Sequence, residues 1–449
     1  MMLYEKSGRR QIDLPEGWRA ACTIFREGLA RKRPLADLVD SALQTPLASA
    51  GLESLVKPGE RIALVIDDIT RPTPVRQILP VVLDRLRKRG VSDEDVAIVI
   101  GVGTHRPMTA EEIADRCGEE VASAFRVVNH DARSADLVHM GEAAGIGPVF
   151  MNALVAEADV RITIGSILPH PHNGFGGGPK SVMPGICDFE TIRRHHMGYV
   201  ADPGSILGNM KENPFYEGCC RIAALARIDF AVNCLYDSLG EVYEVVAGSP
   251  AAVHREGIER TINSLGVDVP TLADVTIVSS YPYYEGPQVV KPTLPAAMVT
   301  KPGGTILLVA GVSAPLPEFF LDSLSRLKSC GTGNGGPLAW IRERLSRCEQ
   351  LMDGPMDFNM ALLLIVFVAA KYKVVLVADP SLKQTARMMG FSHAVDLEAA
   401  LSEEQRSRPA ASVNLIPAGG YVFPMIRDPF RLIGTLSSDP SAASDVFGE

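Results

Sequence analysis

Short apolar runs alternating with amphipathic stretches set the framework of this chain. Residues 61–67 (RIALVID) read as a buried strand, and after the polar loop DDITRPTP apolar positions recur at helical spacing from about 75 to 89. The same grammar repeats with VAIVIGVG (96–103), the loop THRPM, and a helix opened by the capping box Thr109-x-x-Glu112. A third round starts with ADVRITIG (158–165) and runs through a long glycine-rich loop into a helix that begins near Asp188, a residue suited to accept from the first free amides. DFAVNCLY and EVYEVVAG flank a turn at 237–240 and predict a hairpin, followed by a helix over 251–265. After the connector GVDVPTLAD the alternation restarts with VTIVSS (275–280), TILLVAG (305–311), KVVLVAD (373–379) and SVNLIPAG (412–419).

Strand, loop and helix in alternation predict an α/β protein of two domains with mostly parallel sheets. The boundaries expected are 1–268 and 273–430, with the active site in the cleft between the domains and a loose tail over 431–449 rich in Ser, Asp and Ala. The first 55 residues are polar and read as irregular. The apolar run 361–370 is closed by Lys371 and is too short for the ~20 residues of a spanning helix, so it reads as a buried helix.

Composition narrows the function classes. At 449 residues and 46% hydrophobic the chain buries ample core, and a net charge of −9 without a basic block speaks against nucleic acid as a partner. The eight cysteines show no framework spacing, and the N-terminus lacks the apolar core of a signal peptide; both point to a cytoplasmic protein that does not engage membranes.

The candidate chemistry lies in loops that follow the first three strands. They present Asp68 with Arg71, then His105, then the stretch 167–197, ILPHPHNGFGGGPKSVMPGICDFETIRRHHM. Strand C-termini of a parallel sheet share one edge, where residues distant in sequence converge on a ligand. Each has a bland reading alone: Arg71 as a partner of Asp67 or Asp68, His105 as a solvated loop histidine. Four histidines and Lys180 around one glycine loop outweigh it. GFGGGPKS approaches a phosphate-binding P-loop, but Pro179 stands where a backbone N–H is needed. No H-E-x-x-H or C-x-x-C spacing supports a zinc site. Neighbours on a helix point ~100° apart, so one of His195 and His196 faces the site. Gln288 and Lys291 lie three apart and share a face if 288–291 makes one helical turn.

Together, DDITRPTP, GTHRPM, HPHNGFGGGPKSVMPG, the helical histidine pair and Gln288-x-x-Lys291 resemble the nickel-dependent lactate racemase (LarA-like) family, in order through most of 60–310. The resemblance implies a nickel(II)-pyridinium-3,5-bisthiocarboxylate mononucleotide, the nickel-pincer nucleotide, covalently attached at Lys180. It implies His196 as the protein ligand to nickel, and His105 and His170 as paired acid–base groups. Asp68, Ile69, Thr70, Arg71 and Pro184 match positions around the cofactor, and Gln288 and Lys291 the substrate-binding pair of the second domain. Sulfur, carbon, sulfur and an imidazole nitrogen suit square-planar nickel, so one protein ligand is enough.

The activity so implied is isomerisation: racemisation or epimerisation of a 2-hydroxy acid, lactate-like or larger, by hydride transfer to and from the cofactor. Partners would be the hydroxy acid and the enzymes that make the cofactor; the oligomeric state stays open. Two alternatives stand beside it: the same cofactor acting on a sugar acid or polyol carboxylate, and a non-catalytic binding homologue. Pro179, Pro287 and the segment 330–337 are not features that define the family, and the last two bear on substrate choice.

Overall fold

The computed structural model describes residues 1–29, 33–312, 316–330 and 336–427. The expected tail over 431–449 and the core of the CGTGNGGP segment lie outside the described residues. The chain forms two compact units that are not consecutive in sequence. One comprises Gly28–Val200 and Met210–Ser264; the other comprises Met1–Glu27, Ala201–Asn209 and Leu265–Glu449.

The first unit is built on a six-stranded sheet in the order Val242–Gly248, Phe230–Tyr236, Val160–Ile167, Ile62–Ile66, Val96–Ile100, Arg126–Asn129. All neighbours are parallel except the hairpin of Phe230–Tyr236 with Val242–Gly248, the one expected from sequence. Ile62–Ile66 is buried at every position, as a central parallel strand covered on both faces must be. The helix Val75–Lys88 buries Val75, Ile78, Leu79, Val82, Leu83 and Leu86, which is one stripe at helical spacing.

In this sheet the chain leaves Ile62–Ile66 toward one edge and leaves Val160–Ile167 toward the other, although the two strands are hydrogen-bonded neighbours. Such a reversal opens a crevice beyond the strand C-termini, where the flanking loops diverge. The residues at that point are Asp67 to Arg71 after one strand and the loop from Leu168 after the other.

The second unit carries an all-parallel six-stranded sheet, ordered Ser392–Ala394, Lys373–Val377, Thr300–Val309, Ala273–Ser279, Ala411–Ile416, Trp18–Thr23. Its core includes Val275, Ile277, Leu307, Val375, Val413 and Leu415. The apolar helix Met356–Ala369 is buried along most of its length.

Three expectations need correction. The first 55 residues are not irregular: Met2–Glu5 pairs with Gly8–Gln11, and Leu35–Gln44 is a helix. Residues 1–27 also do not belong with the first half, because Trp18–Thr23 completes the second sheet by pairing with Ala411–Ile416. The connector at 266–274 is partly a strand, since Gly266–Asp268 pairs in parallel with Phe423–Met425. In the last two cases a long-range backbone partner orders the segment.

Candidate active site

The crevice at the strand reversal is lined first by the loop after Ile66. Arg116 holds it in place: its guanidinium donates to the Asp67 carbonyl at 3.1 Å, the Arg71 carbonyl at 3.1 Å and Asp67 Oδ1 at 2.5 Å. Thr73 Oγ1 donates to Asp67 Oδ2 at 2.6 Å and lies 2.5 Å from Ser166 Oγ, which is 2.9 Å from the Tyr236 hydroxyl. This chain of polar contacts stitches the ends of three neighbouring strands together. Burial dominates at Asp67 and raises its carboxyl above the usual range despite Arg116 and Thr73.

Asp68 faces the other way. Its Oδ1 accepts from the Thr70 amide at 3.0 Å and the Thr70 hydroxyl at 2.5 Å, and its Oδ2 lies 2.6 Å from His105 Nδ1. Burial works against the charged carboxylate, but His105, Arg71 and Thr70 outweigh it and hold Asp68 well below the usual range. A carboxylate can only accept, so His105 carries a proton on Nδ1 and its basic lone pair on Nε2. Ile69, between Asp68 and Thr70, is 44% exposed.

His170 is wired differently. It belongs to a small hairpin in which Pro169–His170 pairs with Gly174–Phe175. Its Nδ1 accepts the amides of His172 at 3.2 Å and Asn173 at 3.1 Å, so the side chain caps its own turn.

Beyond the hairpin the glycine loop closes against the sheet. A Cβ at Gly177 would sit 2.7 Å from the Ser166 carbonyl oxygen and 2.8 Å from Asn233 Oδ1, and one at Gly178 would overlap the His254 ring at 2.5 Å. Both residues have positive φ, +71° and +50°, so glycine is required there on two counts. His254 Nε2 donates to the Gly176 carbonyl at 3.2 Å, and burial pushes this imidazole down to about 4, which keeps it neutral. The loop then enters the 3-10 turn Gly178–Ser181, which carries Lys180. Burial lowers the Lys180 ammonium to about 8, with Arg71 adding repulsion and Cys219 opposing. Near neutral pH an appreciable share of such a lysine is therefore an uncharged nucleophile.

The helix Phe189–Tyr199 follows, and Asp188 caps it by accepting from the Thr191 amide at 2.8 Å. Its two histidines are both buried, but their nitrogens have different fates. His195 Nε2 donates to the Phe215 carbonyl at 2.8 Å, and its Nδ1 lies 3.4 Å from His196 Nδ1. His196 Nδ1 donates to the Ile192 carbonyl at 3.1 Å, which leaves its lone pair on Nε2. Burial drives both imidazoles toward the neutral form, His195 to about 3 and His196 well below its ordinary value. A neutral imidazole whose Nδ1–H is fixed by a carbonyl is the state in which histidine binds a metal through Nε2.

One side chain that sequence reasoning missed gathers these groups. The fully buried ring of Phe215 lies 4.5 Å from the His195 ring, 4.8 Å from His196, 5.9 Å from His172, 6.5 Å from His170, and 5.5 Å from Lys180 Nζ. It stands at the start of the helix Pro214–Ala226, whose cap Asn213 donates to the His172 carbonyl at 3.0 Å. Pro184 joins the loop of His105: the Gly103 amide donates to the Gly185 carbonyl at 3.0 Å, and a Cβ at Gly103 would lie 3.2 Å from Pro184 Cβ. Asp68, Arg71, His105, His170, Lys180, Pro184 and His196 thus all belong to the first unit. Gln288 and Lys291 belong to the second. There Gly286–Val290 forms one 3-10 turn, the Lys291 amide donates to the Gln288 carbonyl at 3.0 Å, and Lys291 Nζ lies 5.6 Å from the Tyr283 ring centroid. The Gln288 side-chain oxygen is buried with no hydrogen-bond partner among the described residues.

The lactate racemase N-terminal domain family matches residues 4–208. A lactate racemase of Lactiplantibacillus plantarum is 32% identical over 281 residues, 61% of this chain and 66% of that one. A lactate racemase of Thermoanaerobacterium thermosaccharolyticum is 27% identical over 398 residues, 85% of this chain and 89% of that one. The solved structure of the lactate racemase apoprotein from Thermoanaerobacterium thermosaccharolyticum aligns with a TM-score of 0.82 at 26% identity, covering 95% of this chain and 99% of that one. The chain belongs to the lactate racemase family. A Thermotoga maritima protein at 17% identity and TM-score 0.63 shares the fold.

Within this lactate racemase fold, the residues that sequence could not flag act through space. Arg116 and Phe215 have no motif; only the Asn213-Pro214 pair, a cap followed by a proline in the first turn, marks where the Phe215 helix begins. Among the described residues there is no group of three or more His, Cys, Asp or Glu that could hold a metal ion. The site also holds a buried acceptor, since Asn233 Oδ1, beside Gly177, has no hydrogen-bond partner among the described residues. No helix of the described residues is long and apolar enough to cross a membrane.

Proposed function

We propose that this protein is a racemase or epimerase of a 2-hydroxy acid, working with a nickel-pincer nucleotide joined to Lys180. The observation that carries the reading is the grouping around the Phe215 ring. It brings together a lysine lowered to about 8, a histidine with Nε2 available for a metal, and the hairpin of His170. When bound, the nucleotide supplies a hydride acceptor and donor at its metal-bearing ring. Lys180 would hold it through one thiocarbonyl arm, and His196 would complete the metal's coordination. Asp68, Ile69, Thr70, Arg71 and Pro184 would surround it.

The protein's own groups then handle charge and protons. His105 and His170 meet the hydroxyl proton of the substrate, with Asp68 stabilising any positive charge on His105. Lys291 gives the substrate carboxylate a point charge, and Gln288 adds a directional contact. Burial around Phe215 excludes water from a centre where hydride would otherwise be quenched.

The test is intact mass and chirality together. Protein produced beside the cofactor-synthesis enzymes should carry an adduct at Lys180 and erode the optical purity of at least one chiral hydroxy acid from a panel of lactate-like, larger and sugar-derived acids. Unmodified mass under those conditions removes the cofactor assignment. An adduct with no turnover across the panel favours a binding homologue.

A further inference from the structure

We infer that the 2-hydroxy acid carries an aromatic ring on its side chain, and that Tyr283 selects it by packing ring against ring. This names the substrate class of the racemase reading and rests on that reading.

The second sheet reverses direction as the first does. From Ala273–Ser279 the chain moves outward through Thr300–Val309, Lys373–Val377 and Ser392–Ala394, then returns to add Ala411–Ile416 on the opposite side of Ala273–Ser279. Those two strands are parallel neighbours, so the segments that follow them diverge from one edge, the place where such sheets take ligands. Gln288 and Lys291 lie on one of the two segments. The Gln288 side-chain oxygen, buried with no hydrogen-bond partner among the described residues, is an acceptor that a ligand can meet.

Both segments are aromatic. Tyr281, Tyr283 and Tyr284 follow Ala273–Ser279, and Tyr421 follows Ala411–Ile416. The Tyr281 ring centroid lies 6.2 Å from that of Tyr284 and 5.9 Å from that of Tyr421. It also lies 6.0 Å from the ring of Tyr4, whose amide donates to the Pro417 carbonyl at 3.0 Å and so joins the same edge.

Tyr283 sets a ring beside the charge. Lys291 Nζ is 5.6 Å from its centroid, a separation at which an ammonium is drawn to an aromatic face. Backbone contacts fix this ring in place. The Tyr283 amide donates to the Ser280 carbonyl at 2.7 Å, and the Gly420 amide donates to the Tyr281 carbonyl at 2.9 Å. A Cβ at Gly420 would sit 2.3 Å from Pro282 Cδ and 2.9 Å from Tyr283 Cε2, so only glycine lets the two segments come this close. Tyr283 is nevertheless only half-buried, which leaves part of the ring open to a ligand.

Reach decides which acids use that ring. With the substrate carboxylate on Lys291, a methyl group on C2 ends ~2.5 Å from the carboxyl carbon and stays beside the ammonium. A benzyl group carries its ring centre ~5 Å out, far enough to meet Tyr283 in an offset or edge-to-face pair. A polyol chain has the length, but each hydroxyl laid against an aromatic surface gives up hydrogen bonds to water. A lone cation, an unmet acceptor and an aromatic wall therefore suit an aryl-substituted hydroxy acid better than either alternative.

The test is a ratio of kcat/KM values, measured as loss of optical purity with cofactor-loaded enzyme. Phenyllactate should exceed both lactate and gluconate by about ten-fold or more, the scale on which a filled apolar pocket discriminates. Tyr283→Leu should lower the phenyllactate-to-lactate ratio by about ten-fold or more, whereas Tyr283→Phe, which keeps the ring, should hold it within about three-fold of wild type. A ratio taken on one preparation cancels any loss of folded or loaded protein, and the wild-type ratio decides by itself if Tyr283→Leu does not fold. Lactate or gluconate turned over as well as phenyllactate by the wild type overturns the inference, as does an unchanged ratio in Tyr283→Leu or a collapsed one in Tyr283→Phe. Each of those results leaves the racemase reading standing. An adduct at Lys180 with no turnover of any acid removes both.

Discussion

Lys180 shows how far one side chain can be moved from its ordinary chemistry by its surroundings. An exposed lysine with a pKa of ~10.4 is neutral in roughly one molecule in 250 at pH 8. Burial brings Lys180 down to about 8, so half of it is neutral at that pH. The sign is fixed: raising pH deprotonates the amine, and the deprotonated form is the nucleophile. Competitive acylation followed by peptide mass analysis should show Lys180 labelling rise through about pH 8 and then level off, while surface lysines go on rising toward pH 10. A Lys180 profile that tracks the surface lysines would refute the lowered ammonium. Gly178 permits a second test at this scale. Gly178→Ala puts a methyl group 2.5 Å from the His254 ring at a φ of +50°. It should displace the loop, abolish adduct formation at Lys180, and leave the far-ultraviolet dichroism of the α/β fold unchanged.

Among the elements, the helix Phe189–Tyr199 shows where sequence was informative and where it was not. Asp188 as its cap was legible, because a short acceptor just before a helical stripe has one obvious partner, the Thr191 amide at 2.8 Å. Asp188→Ala should cost roughly 0.5–2 kcal/mol of stability, read as a shift in denaturant midpoint at unchanged slope. No shift would mean that the Phe150 amide, 3.3 Å from Asp188, and the Thr191 hydroxyl find other acceptors at no cost. The buried strands were legible for a similar reason, since a run such as Ile62–Ile66 has no soluble alternative. Trp18–Thr23 was not, because it lies at a sheet edge and exposes four of its six positions. The loops gave the identities of Asp68, His105, His170 and Lys180 but not their wiring. Which nitrogen of a histidine carries a proton depends on partners such as Asp68 Oδ2 and the Asn173 amide, and those positions exist only after folding.

At the scale of the whole molecule, the proposed cofactor residues and the proposed substrate residues fall in separate compact units. This separation predicts separable defects. Lys291→Ala should reduce kcat/KM by an amount equivalent to roughly 2–5 kcal/mol, the cost of leaving a desolvated carboxylate without its charged partner, while the mass adduct at Lys180 persists. Loss of the adduct in that variant, or unchanged turnover, would show that the two tasks are not divided in this way.

The pairing of Trp18–Thr23 with Ala411–Ile416 also sets a clock. Trp18 donates to the carbonyl of Arg408, 390 positions later in the chain. On a ribosome adding ~5–20 residues per second, the amino-terminal strand leaves the exit tunnel roughly 20–80 s before its neighbour is made. The six-stranded sheet of the second unit therefore closes only once Ala411–Ile416 is made, with a segment synthesised some 390 positions earlier. Nascent chains stalled before residue 400 should leave Trp18 accessible to solvent quenchers, and released full-length chains should bury it.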